Sequence, residues 1–181
     1  SATANRQRWD GVSWDAALAA PVTTDGVVII RNLHTATVGA TITLDQLVVA
    51  TGGILTISSA GTLTIANGAF TDLSVDGTVN NSGTITPQIG ATIIFNTTSN
   101  YYHTQDGGTI PAATCNATSN CNITGITTST GFAGGLNQTF GNFTWNCAGQ
   151  TKNFYMESDI TIAGDFTVSG TGTFDHTIHA L

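Results

Sequence analysis

Charge is what this sequence has least of. Charged residues make up 8% of the chain, against about a quarter in an average soluble domain. Four basic residues face 11 acidic ones, a net charge of -7. That balance repels nucleic acid and anionic membrane surfaces, so neither is expected as a partner. No window approaches the roughly 20 apolar residues of a membrane-spanning helix, which argues against membrane insertion. A basic-apolar-small leader is also missing, and the opening Ser1-Ala2-Thr3-Ala4 fits an exported protein after its signal is removed and equally a trimmed chain, with export the expectation.

The raw materials of catalysis are thin as well. Abstracting a proton beside a carboxylate needs a base, and outside residues 1–26 the strong bases are Arg31 and Lys152. There is no DxDxD cluster, EF-hand loop, GxSxG elbow or phosphate-binding loop. Carboxylates for a hydrolytic pair exist by identity only, as Asp76, Asp106, Glu157, Asp159, Asp165 and Asp175, mostly beside glycine or at strand ends where Asp makes turns. His176 and His179 would point to opposite faces of a strand, and His34 and His103 have no partner at ligand spacing. The expectation is a non-enzyme with no cofactor and no metal.

What fills the chain is threonine (34 residues) and glycine (21), residues of strands and turns rather than helices. They are arranged as a repeat. Thr41-Ile42-Thr43, Thr62-Leu63-Thr64 and Thr84-Ile85-Thr86 recur at spacings of 21 and 22, and Leu55-Thr56-Ile57 and Leu73-Ser74-Val75 recur between them at 18. Within each triplet the apolar residue and its polar neighbours face opposite ways, and each segment ends in Gly, Asn, Asp or Ser. Such a short strand cannot bury its apolar face alone. Coils stacked about 4.8 Å apart can, because each strand then pairs with its copy above and below. The fold expected is a single all-β domain, a right-handed parallel β-helix (β-solenoid) with coils of about 20 residues.

Residues 1–26 are not repetitive and hold Arg6, Arg8, Trp9 and Trp14, which read as an N-terminal cap over the open end of the solenoid. Residues 27–95 read as regular coils. Residues 96–139 read as a protruding irregular loop insertion, with Tyr101, Tyr102 and His103 as its one amphipathic group. From 140 to 181 the strands return, richer in aromatics: Phe143, Trp145, Phe154, Phe166 and Phe174. Cys115 and Cys121, six apart in polar surroundings, are the candidate disulfide, which would fit an oxidising compartment; Cys147 is either a substitute partner or a free thiol. Sequons at Asn80, Asn96, Asn116, Asn122, Asn137 and Asn142 are weak support for glycosylation.

The segments RWDGVSWD, TDGVVI, GTLTI and VDGTVNNSGTIT, with the later FGNFTWNCAGQT and DITIAGDFTVSGTGTF, resemble the Gly/Thr-rich solenoid segments of large secreted surface proteins of Bacteroidota. That resemblance implies type IX export, a cell-surface or extracellular location and a solenoid fold, without a particular activity. The function expected is structural: a self-assembling fibre subunit or a stalk segment of a surface adhesin, associating end to end. One alternative is a carbohydrate-binding module that stacks Trp9, Trp14, Tyr101 and Tyr102 on a surface polysaccharide. Another is an ice-binding solenoid that uses the Thr-x-Thr rows.

Overall fold

The computed structural model describes residues 7–9, 14–16, 20–131, 134–156, 158–170 and 174–175, with backbone alone at 7–9, 14–16 and 174–175. Two short strands, β1 (Gln7–Trp9) and β2 (Trp14–Ala16), pair antiparallel with Trp9 opposite Trp14. The rest of the expected cap lies largely outside the described residues. A single 3-10 turn, Thr23–Asp25, leads into the coils.

Each full coil has three short strands separated by corners. The first coil is β3 (Val28–Ile30), β4 (Thr35–Val38) and β5 (Thr41–Leu44). The second is β6 (Leu47–Val49), β7 (Ile54–Ile57) and β8 (Thr62–Ile65). The third is β9 (Leu73–Val75), β10 (Thr78–Asn81) and β11 (Thr84–Pro87). Two coils with two strands each follow: β12 (Ile93–Phe95) with β13 (Asn100–His103), then β14 (Thr114–Cys115) with β15 (Asn120–Ile123). The chain continues as β16 (Thr139–Phe140), β17 (Asn142–Cys147) and β18 (Phe154–Tyr155). The last described strands are β19 (Thr161–Ile162), β20 (Phe166–Gly170) and β21 (Phe174–Asp175).

Corresponding strands stack in parallel, so the fold is a β-solenoid. One wall runs β3-β6-β9-β12-β14, a second β4-β7-β10-β13-β15-β17-β20, and a third β5-β8-β11. The threonine triplets fall into register on the third wall, as their spacing predicts: Thr41, Thr62 and Thr84 share one column and Thr43, Thr64 and Thr86 another. The spacing of 18 between Leu55 and Leu73 has a different origin. Leu55 is on the second wall and pairs with Val79, whereas Leu73 is on the first wall and pairs with Leu47.

Alternation sets the core. Along β7, β8, β10, β13 and β15 half-buried and buried residues alternate strictly, as one inward and one outward face require. On the second wall one inward column reads Ala36, Leu55, Val79, Tyr101, Cys121, Phe143, Phe166. Its neighbour reads Val38, Ile57, Asn81, His103, Ile123, Trp145, Val168. The interior thus passes from aliphatic to aromatic along the axis. Phe140 and Phe143 meet edge to face at 5.1 Å between centroids, and Trp145 lies 4.6 Å from Phe154. Trp145 Nε1 donates to Gln150 Oε1 at 2.9 Å, so the buried indole is satisfied.

The segment 96–139 corrects the expectation of a single irregular insertion. Over much of its length it is regular: β13, β14 and β15 continue the first and second walls in register. Irregular chain remains at 104–113 and 124–138, where the strands of the third wall have no successors among the described residues.

Glycine at the coil corners follows from close backbone approach. A Cβ on Gly83 would collide with the carbonyl oxygens of Ser58 and Gly61, and one on Gly61 with that of Val38. Gly39 stands clear, with its nearest neighbour, Ser58 Oγ, 3.9 Å from a built Cβ. Gly83→Ala is therefore expected to cost about 1–3 kcal/mol through overpacking against unyielding backbone, while Gly39→Ala is nearly neutral. Urea denaturation of both variants checks this, and equal midpoints would contradict the stacked-corner geometry.

Candidate functional site

The most concentrated chemistry in the described residues lies inside the solenoid. Asn81 and His103 are direct neighbours in one inward column, both fully buried, with Tyr101 beside them in the adjacent column. Asn81 Nδ2 donates to the Tyr101 hydroxyl oxygen at 3.0 Å. That hydroxyl lies 3.2 Å from His103 Nδ1, and His103 Nε2 lies 2.6 Å from the Gly107 carbonyl oxygen. A carbonyl can only accept, so Nε2 carries the proton and Nδ1 accepts from the Tyr101 O–H. Asn81 Oδ1 accepts from the Gly83 N–H at 3.2 Å. The chain of bonds runs in one direction, with every member neutral.

The electrostatics agree with that assignment. Desolvation pulls the His103 pKa below its ordinary value, opposed in part by the hydrogen bond to the Gly107 carbonyl. Burial likewise pushes the Tyr101 phenol upward, against the bond from Asn81. Neutral imidazole and neutral phenol are therefore the resting forms, and the arrangement holds protons in place. The cavity beside it, lined by Tyr101, Cys115, Cys121 and Gln138 among others, has a volume of about 10 Å³, which admits one water at most.

Of the residues singled out from the sequence, Tyr101, Cys115 and Cys121 meet around one small cavity, while Tyr101 and Tyr102 face opposite ways. Tyr101 is 3% exposed and belongs to the core, so it cannot stack on a sugar. Tyr102 points outward and is half-buried. Trp9 and Trp14 are paired through their backbones on the β1–β2 hairpin, and their side chains lie outside the described residues, as do His176 and His179. Cys115, Cys121 and Cys147 are free thiols in this structure, with Cys115 and Cys121 lining the same small cavity. Cys121 takes a core position between Tyr101 and Phe143 in its column. It packs there as a small apolar side chain. Cys115 sits on another wall, across a corner held by the Ser119 N–H and Oγ, both bonded to the Asn116 carbonyl. Desolvation raises all three thiol pKa values. No group of three or more His, Cys, Asp or Glu with metal-binding geometry occurs among the described residues.

Two carboxylates and an asparagine ladder bind neighbouring coils together. Asp106, at the surface, ties its coil to the next by accepting from the backbone N–H groups of Thr127, Thr128 and Ser129 and from the hydroxyls of Thr127 and Thr128. Desolvation alone would raise its pKa, but those bonds hold the carboxyl well below the usual carboxylate range. Asp72, fully buried, accepts from the Gly68 N–H at 2.7 Å and from the Thr92 N–H and hydroxyl at 2.7 and 3.0 Å. Both are internal staples. On the outer face of the second wall Asn100, Asn120 and Asn142 form a ladder, each amide donating to the one before it at 3.3 and 3.0 Å.

A legible signal for part of this was overlooked. Asn96-Thr97-Thr98-Ser99-Asn100 and Asn116-Ala117-Thr118-Ser119-Asn120 repeat at a spacing of 20. That spacing places Tyr101 and Cys121, and His103 and Ile123, in shared inward columns.

Comparison of the chain with protein-family models, with curated protein sequences and with solved structures finds no match.

The buried network makes stability depend on pH. The pKa of His103 is lowered on folding, so the unfolded chain binds the extra proton more readily. Its contribution is complete above the unfolded value of about 6.5 and is lost as pH falls below it. Stability measured by urea denaturation is therefore expected to fall between pH 7 and 5 (values on the order of the His titration range), and His103→Gln to flatten that decline. Tyr101→Phe, which strands Asn81 Nδ2 and removes the hydroxyl from His103 Nδ1, should cost about 1–3 kcal/mol at neutral pH. A pH-independent wild type would contradict the neutral buried histidine.

Proposed function

We propose that this solenoid is a non-catalytic extracellular structural module, a self-assembling fibre subunit or the stalk segment of a surface adhesin. The observation that carries the reading is the state of the last described rung of the second wall. Phe166 and Val168 continue the two inward columns, stacked on Phe143 and Trp145, yet they are 37% and 48% exposed. Inward positions on the last described strand of a wall are a template for a further rung, from the same polypeptide or from another. Low charge removes much of the repulsion that would keep a neighbouring rung away. The extracellular setting rests on the resemblance of the Trp-containing entry and Gly/Thr-rich coils to secreted surface proteins.

In this reading no residue performs chemistry, and function resides in the stiffness of the stacked coils and in contacts at the ends. The carbohydrate-binding alternative loses support because Tyr101 is buried away from any platform. Sedimentation and electron microscopy of the purified chain test assembly. Concentration-dependent end-to-end particles are expected, weakened by Phe166→Glu and Val168→Glu. Strictly monomeric particles at high concentration overturn the fibre version and leave the stalk, in which neighbouring coils belong to the same polypeptide.

A further inference from the structure

We propose that the outer face of the third wall binds ice. Six threonines there form a two-column array, Thr41, Thr62 and Thr84 beside Thr43, Thr64 and Thr86, held in register by the β5-β8-β11 ladder. Rows in such a ladder lie about 4.8 Å apart and alternate residues along a strand about 6.7 Å apart. These two repeats are close to those of the oxygen lattice on the prism face of hexagonal ice.

The hydroxyls of this array are unengaged, as are those of Thr37 and Thr56 on the second wall; what sets the array apart is its two aligned columns over three rungs. Hydroxyls of Thr92, Thr118, Thr124, Thr127, Thr128 and Thr151 are tied to protein acceptors. Among the described residues, those of Thr41, Thr43, Thr62, Thr64, Thr84 and Thr86 make no hydrogen bond to protein. They are exposed or half-buried and point to solvent. Each offers one donor and two acceptor sites to water at a lattice position, while its methyl group excludes loosely held water between positions.

The chain at 20–23 borders the first row beside Thr41 and Thr43, and the strands themselves carry nothing that disturbs the lattice. The segments Thr41–Leu44, Thr62–Ile65 and Thr84–Pro87 carry no charge and no aromatic ring, so no strongly hydrated group imposes its own water shell on the face. Beneath it, Leu44, Leu63, Ile65 and Ile85 are buried and lock the strands from behind. The corner glycines Gly61 and Gly83 lie tight against the backbone of the coils below. A rigid array loses little entropy when an ordered surface adsorbs to it.

Ice recrystallisation inhibition, with ice-crystal shaping in a nanolitre osmometer, tests the proposal on the full chain. The wild type is expected to inhibit grain growth. Thr64→Lys, at the centre of the array, and Thr86→Lys, at its exposed margin, should each need roughly tenfold more protein or more for the same effect. Thr37→Lys on the exposed second wall should match the wild type. Circular dichroism and melting confirm that each variant is folded, and the two array variants guard against the loss of either one. Grain growth with the wild type equal to that with albumin at matched concentration overturns the proposal. So does full activity in both array variants.

Discussion

Vertical pairing between coils is the interaction on which the rest of this structure depends. Every described strand of the coils takes its backbone partners from the coil above or below, and a strand of two to six residues has no stability apart from that ladder. Each inward residue therefore rests on the equivalent residue of the previous coil, and each column must accept its members one on another. Apolar columns meet this condition by size. A polar residue in a column meets it only if a vertical or lateral neighbour satisfies it.

Asn81 and His103 show how that condition is met. They interrupt a column that is otherwise Val38, Ile57, Ile123, Trp145 and Val168, and isolated there either would cost several hydrogen bonds. Tyr101 supplies the missing partner from the adjacent column, and the Gly83 N–H and Gly107 carbonyl close the two ends. The network also marks register. Sliding β13 by one residue would turn Tyr101 and His103 outward and leave Asn81 unsatisfied inside, a much larger penalty than an apolar column imposes.

The fold was legible where the repeat sits at constant spacing on one wall. The threonine triplets at 21 and 22 residues led directly to the third wall, because both faces of each strand were marked: threonine outside, leucine or isoleucine inside. Residues 96–139 were harder. Their inward positions hold Tyr101, His103 and Cys121, and a period-two pattern of apolar residues does not include a histidine. The true signal was in the corners, where Thr98-Ser99-Asn100 and Thr118-Ser119-Asn120 repeat. Similarly, Leu55 and Leu73 looked equivalent because walls share the same residue chemistry, and only pairing tells one wall from another. Asp106 could not be read at all, since its partners lie 21–23 residues away.

Asp106 matters because of what it replaces. Through three coils the third wall is a ladder of backbone bonds with threonines outside; in the next two, among the described residues, the chain at 104–113 and 124–138 forms no named strand there and pairs through the single bridge between Thr109 and Gly134. A corner without a ladder leaves backbone N–H groups without carbonyl partners, and Thr127, Thr128 and Ser129 present three in succession. One carboxylate collects all three and two hydroxyls besides. It thereby does across coils what several strand bonds do elsewhere, with charge-assisted bonds that are stronger than neutral ones. The irregular side of the solenoid is thus free to vary in length, while the first and second walls keep the coils in step.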